Sequence, residues 1–183
     1  VSFDRLDSDG CMSTNDQVTL MASGASGVVP DDKEFQELLT RVCKELALKL
    51  LDDAEGSSHN IHITVEGAAS EDDAVEVARS VARNNLFKAA IYGNDPNWGR
   101  LMAAAGRAGV PFDPAAASAS IAGIEVYRAG VPTDFNAAEV SDAMKMPDVL
   151  IEVNLGDPAG GAFTFYTCDF SYDYVRINAE YTT

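Results

Sequence analysis

The side chains that could carry chemistry are few and scattered. Asp7, Asp9 and Asp16 lie close together near the start, and Glu55 stands beside Gly56 in a loop-like stretch. A calcium loop with Gly10 at its sixth position would begin at Arg5 and end at Asp16 in place of Glu, so the three aspartates read as turn and cap chemistry. Glu55 is either a ligand-facing carboxylate, for which connecting loops are a common setting, or a solvated one. The run Asn94-Asp95-Pro96-Asn97-Trp98-Gly99-Arg100 combines polar, aromatic and glycine residues. It fits a binding loop and fits equally a helix entry in which Asn97 caps, Trp98 packs and Arg100 pairs with an acid. His59 and His62 are the two histidines, and they lack the spacing of a helical zinc pair. Cys11, Cys43 and Cys168 are odd in number, far apart and outside any CxxC pattern, as expected of free thiols in a reducing compartment. There is no GxSxG, HExxH, phosphate-binding loop or GxGxxG.

Composition narrows the partners. The chain has 183 residues, 46% of them hydrophobic and 23% charged, which excludes a disordered tail, a collagen and a coiled coil. Asp+Glu number 29 against 13 Lys+Arg, a net charge of -16 that repels phosphate backbones and anionic lipid heads. Nucleic acid and membrane surfaces are therefore not expected partners. No apolar run approaches the ~20 residues of a bilayer span. The opening residues have neither the basic nor the apolar region of a signal peptide, and the lack of an initiator Met reads as a processed or partial chain.

The elements that must position these residues follow from periodicity. Asn15 to Ala22 reads as a buried strand. Pro30-Asp31-Asp32 opens a helix to about Asp52, with Phe35, Leu38, Leu39, Val42, Leu46 and Leu50 on one face that should be buried. Ile61, Ile63 and Val65 alternate with polar residues as a strand with one wet face. Ser70-Glu71-Asp72-Asp73 caps a second helix through Val81. Phe87 to Tyr92 is a short apolar run read as a strand before the Asn94–Arg100 junction, and Asn97 caps a helix with Leu101, Met102, Ala105 and Ala108 as its packed side. Pro111 to Pro114 reads as a linker, dividing residues 1–110, a layered core, from residues 111–183, a smaller C-terminal portion. Two short strands flank Gly123, and a polar helix covers Ala137 to Met144. Val149–Leu155 and Ala162–Cys168 read as a hairpin, followed by a tail that alternates aromatic and polar residues. Helices and antiparallel pairs without strict βαβ alternation make the class α+β.

Four segments together carry more. They are Ser2-Phe3-Asp4 with Asp9-Gly10-Cys11-Met12-Ser13-Thr14-Asn15-Asp16; Asp53-Ala54-Glu55-Gly56; Tyr92-Gly93-Asn94-Asp95-Pro96-Asn97-Trp98-Gly99-Arg100; and Tyr174-Val175-Arg176-Ile177-Asn178-Ala179-Glu180-Tyr181-Thr182-Thr183. In this order, across the whole chain, they closely resemble the β chain of the ornithine acetyltransferase (glutamate N-acetyltransferase) family. The resemblance implies a layered helix/sheet sandwich made by a precursor that cleaves itself before a threonine, the nucleophile, expected upstream of Val1. It implies acetyl transfer from N-acetylornithine to glutamate in cytoplasmic arginine biosynthesis through a threonine acetyl-enzyme, with acetyl-CoA a second donor in many members. No catalytic residue then lies in this chain, and no metal or cofactor is called for. Glu55, Asn178 and Thr183 match the family's substrate-binding positions. An α chain from the same precursor is the implied partner, in a heterotetramer of two α and two β chains. Ser58-His59 departs from the family's usual Thr-Lys pair. Two other readings remain beside this one: a related self-cleaving aminopeptidase or amidase that delivers its acyl group to water, and a non-catalytic acidic partner domain.

Overall fold

The computed structural model describes residues 1–181; Thr183, one of the expected site residues, lies outside them. A short 3-10 turn, Phe3–Arg5, precedes α1 (Asp32–Asp52), β1 (Asn60–Ala68), α2 (Glu71–Ala82), α3 (Asn85–Tyr92) and α4 (Trp98–Gly106). Then come β2 (Ser118–Ile121), β3 (Ile124–Arg128), β4 (Val131–Pro132), α5 (Ala137–Ala143), β5 (Asp148–Asn154), β6 (Gly161–Cys168) and α6 (Tyr172–Glu180). The six strands form one mixed sheet in the order β4-β3-β2-β5-β1-β6. The 1–110 and 111–183 portions share this sheet, because β1 from the first lies between β5 and β6 of the second.

Alternation decides which face of the sheet is dry. Ile61, Ile63 and Val65 of β1, Val149, Ile151 and Val153 of β5, and Ile121 and Phe165 are fully or almost fully buried. They pack against Ala74, Val77, Ala78 and Val81 of α2 and Leu101, Ala104 and Ala105 of α4. Small residues on both helices let the backbone lie close to the strands. The opposite face carries Thr64, Glu66, Ser120, Glu152, Asn154 and Thr164, as the wet-face reading of β1 requires. Local signals hold at the helix starts. Asp31, Ser70 and Asn97 each accept backbone N–H groups at the first turns of α1, α2 and α4. Asn97→Ala should cost about 1 kcal/mol of stability in denaturant unfolding, the usual loss for an N-cap amide.

Four expectations are corrected. Residues 15–22 form no strand: Val18, Leu20 and Met21 are each more than 60% exposed, and no neighbouring strand takes up their backbone groups. The Phe87–Tyr92 run is the helix α3, capped by Asn84, with Phe87, Ala90 and Ile91 turned to the core at helical spacing. A run this short fits either period, and the neighbouring elements settle it. Val149–Leu155 and Ala162–Cys168 are not a hairpin. β1 sits between them, parallel to β5 and antiparallel to β6, so its buried row is flanked on both sides. The aromatic tail, to which the alternation assigned no element, is α6, capped by Ser171. The apolar face of α1 is not covered by this chain: Phe35, Leu38, Val42, Leu46 and Leu50 are 41–59% exposed, and Ala47 and Leu51 are the buried positions of that helix.

Candidate active site

Glu55 lies in the turn between α1 and β1. The Ala54 N–H bonds the Leu51 carbonyl, the Ser57 N–H bonds the Ala54 carbonyl, and Gly56 takes a positive φ of 64°. α6 sits on this turn. Ser171 Oγ accepts the Tyr174 N–H at 3.0 Å and donates to the Gly56 carbonyl at 2.5 Å, so one hydroxyl caps the helix and fastens it beside Glu55. One turn along α6, Asn178 Nδ2 donates to Glu55 Oε2 and to the Tyr174 carbonyl, each at 3.0 Å. Two residues 123 positions apart in the chain are thereby in direct contact.

They border a cavity of about 510 Å3 whose walls include Asp9, Asp16, Asp53, Cys168 and Tyr174. Among its described lining residues there are four carboxylates and no Lys or Arg. Such a wall attracts a small cation and repels an anion. Tyr174 Oη donates to Asp9 Oδ2 at 3.3 Å. Burial, followed by the charges of Asp9, Cys11 and Glu55, pushes its phenol above the usual tyrosine value, so it stays a donor. Burial likewise raises the Cys168 thiol, which is therefore protonated rather than nucleophilic near neutrality. The same cavity opens past Leu6, Met12, Ser13, Asp16, Leu50 and Asp53 into an apolar one lined by Val18 and Leu46.

The acidic cluster divides by role. Asp7 is buried and does turn chemistry, accepting the Gly10 N–H at 2.6 Å and Arg83 Nε at 2.5 Å. Asp9 does turn chemistry too, its Oδ1 accepting the Cys11 N–H at 2.9 Å, and with Asp16 it also lines the cavity, a placement that sequence spacing does not reveal. Ser58-His59 lies behind the Glu55 turn, outside the cavity wall. Ser58 Oγ at 2.5 Å and His59 Nδ1 at 2.8 Å both meet Oδ2 of Asp169, a fully buried carboxylate that also accepts the Ser58 N–H. Hydroxyl and imidazole converge on one oxygen and on each other at 2.9 Å, a closed cluster that anchors the turn; a hydrolytic triad would run in series. Asn94–Arg100 resolves as a helix entry. Trp98 stacks on Tyr127 with ring centres 5.6 Å apart, and Arg100 Nη1 donates to the Leu86 carbonyl at 3.2 Å rather than to an acid. Thr183 lies outside the described residues, so of the expected trio the structure brings together Glu55 and Asn178.

Comparison with known proteins identifies the family. The model of the ArgJ family matches residues 1–183. The arginine biosynthesis bifunctional protein ArgJ of Thermobifida fusca is 52% identical over 183 residues, covering 100% of this chain and 47% of that protein. Its counterpart in Streptomyces avermitilis is 47% identical over 183 residues, with 100% and 46% covered. The chain thus spans about half the length of these relatives. The crystal structure of arginine biosynthesis bifunctional protein ArgJ from Bacillus halodurans superposes with a TM-score of 0.91 at 37% identity, covering 98% of this chain and 87% of that one. With the motifs in order, the sheet superposable and every residue matched, the chain belongs to the ArgJ family.

Proposed function

We propose that this chain is the substrate-recognition half of an acetyltransferase of arginine biosynthesis. The complete protein moves the acetyl group of N-acetylornithine to glutamate, with acetyl-CoA as a second donor. The observation that carries this reading is the Glu55–Asn178 contact on the wall of a cavity lined by acids. N-Acetylornithine keeps one free ammonium, for which Glu55 is a counter-charge, and an amide such as Asn178 can both donate to and accept from an amino-acid head group.

The nucleophile is a threonine hydroxyl supplied from outside these residues. Its oxygen attacks the acetyl carbonyl, its own α-amine takes the proton, the amide C–N bond breaks and ornithine leaves carrying that proton. The amine of glutamate then attacks the ester carbonyl, the ester C–O bond breaks, and the proton that this amine sheds passes through the threonine α-amine to the released oxygen, which restores the hydroxyl and frees N-acetylglutamate. This chain's residues bind and orient the diamino acid beside that threonine. Thr183 belongs to the same set through the family resemblance. No metal or cofactor enters the reaction.

The exposed apolar face of α1 supports an α chain from the same precursor as the partner. So do Met12, Val18, Leu20, Met21, Val28 and Val29, all more than 60% exposed. Two such pairs form the heterotetramer. No helix among the described residues is long and apolar enough to cross a membrane. The family resemblance supports the cytoplasm as the compartment of this reading. The test is direct. The complete protein, given N-acetylornithine and glutamate, should release ornithine and N-acetylglutamate in equal amounts, with little free acetate. Acetate as the main acyl product would make it a hydrolase and reject the transferase reading.

A further inference from the structure

Lys88 on α3 is 2% exposed, in a helix whose Phe87, Ala90 and Ile91 pack into the core. A buried ammonium is costly unless it is held by well-placed partners, and it plays no part in the chemistry above. Its Nζ donates to the carbonyl of Ser8. The buried Cys168 thiol is directed at the same oxygen, 3.6 Å away. Desolvation draws the lysine below its ordinary pKa, and nearby acids, Asp7, Asp9 and Asp169 among them, oppose that shift.

What the ammonium holds is one wall of the cavity. Ser8 lies between Asp7, tied to Arg83, and Asp9, whose Oδ1 accepts the Cys11 N–H at 2.9 Å. Asp9 Oδ2 accepts the Tyr174 hydroxyl at 3.3 Å, and the Tyr174 carbonyl accepts the Asn178 amide that also meets Glu55. An unbroken series of contacts therefore runs from a fixed charge in the core to the side-chain pair on the cavity wall. The charge-assisted bond to the Ser8 carbonyl is the link that starts the series in the core.

We propose that Lys88 is a positioning residue for this pocket: its ammonium clamps the Ser8 carbonyl, and through Asp9 and Tyr174 sets where Asn178 meets Glu55. The inference rests on reading the cavity as the diamino-acid site. In the complete protein, Lys88→Met should raise KM for N-acetylornithine about fivefold with kcat changed less than about twofold. In an Asn178→Ala background the same substitution should change KM less than about twofold, because the side chain it acts through is already gone. Equal factors in the two backgrounds, or a loss confined to kcat, overturn the proposal. Should Lys88→Met fail to fold, Tyr174→Phe removes one hydroxyl in the middle of the series. It should raise KM about threefold, and an unchanged KM overturns the idea equally. If the unmodified protein transfers no acetyl group, the functional reading fails separately. Amide exchange then decides for Lys88: Gly10 and Cys11 should exchange about tenfold faster in Lys88→Met, and an unchanged rate sinks the clamp.

Discussion

Gly56→Ala will lower the stability of the protein by about 2–4 kcal/mol and raise KM for N-acetylornithine at least about tenfold. The residue has a φ of 64°, where a side chain costs about 1–2 kcal/mol by itself. The added methyl would also stand 2.7 Å from the Asp173 carbonyl carbon and closer still to the Tyr174 nitrogen, both of them backbone atoms of α6. Backbone cannot rotate away as a long side chain can, so the first turn of α6 must lift. Lifting it strains the Ser171–Gly56 bond and carries Asn178 away from Glu55. Denaturant unfolding and steady-state kinetics on the complete protein measure the two effects. Unchanged stability together with unchanged KM would mean that α6 is not seated on this turn.

Glu55→Gln keeps the shape of the side chain and removes its charge. It should raise KM for N-acetylornithine about ten- to thirtyfold, corresponding to ~1.4–2 kcal/mol. KM for glutamate, an anion, should rise less than about threefold, which separates loss of a counter-charge from general damage to the pocket. Glu55 and Asn178 are both exposed in this chain, where an ion pair would be screened and weak. The larger value requires the pocket to be covered in the complete protein. A rise below about twofold for N-acetylornithine would assign Glu55 to the solvent and leave the cavity without its recognising charge.

Much of the secondary structure was legible because short-range physics sets it. Asp31, Ser70 and Asn97 announce helix starts through side-chain oxygens that reach backbone donors two or three residues on. The alternation of Ile61, Ile63 and Val65 announces a strand with one dry face, and its burial agrees. Illegible features are those settled at long range. Nothing between Val149 and Cys168 says that the strand Asn60–Ala68 will enter between the two, because pairing partners leave no mark on the local pattern. Phe87–Tyr92 has an apolar run too short to choose its own period. α1 has the periodicity of a buried helix, yet its stripe is exposed: periodicity reports that a face is to be covered and is silent on which chain covers it.

The candidate site divides the same way. Resemblance singled out Glu55 and Asn178, and turn and helix chemistry explain why each can be held still. By itself the sequence determined the acidic character of the chain, most of its helices and strands, and its family, because composition, caps and ordered motifs are written residue by residue. Tertiary structure alone decided that β1 enters between β5 and β6, that Ser171 seats α6 on Gly56, and that Asp9 and Asp16 join Glu55 around one cavity. The reason is that contacts between residues far apart in the chain depend on how whole elements pack, and packing is a property of the folded ensemble of side chains rather than of any one stretch.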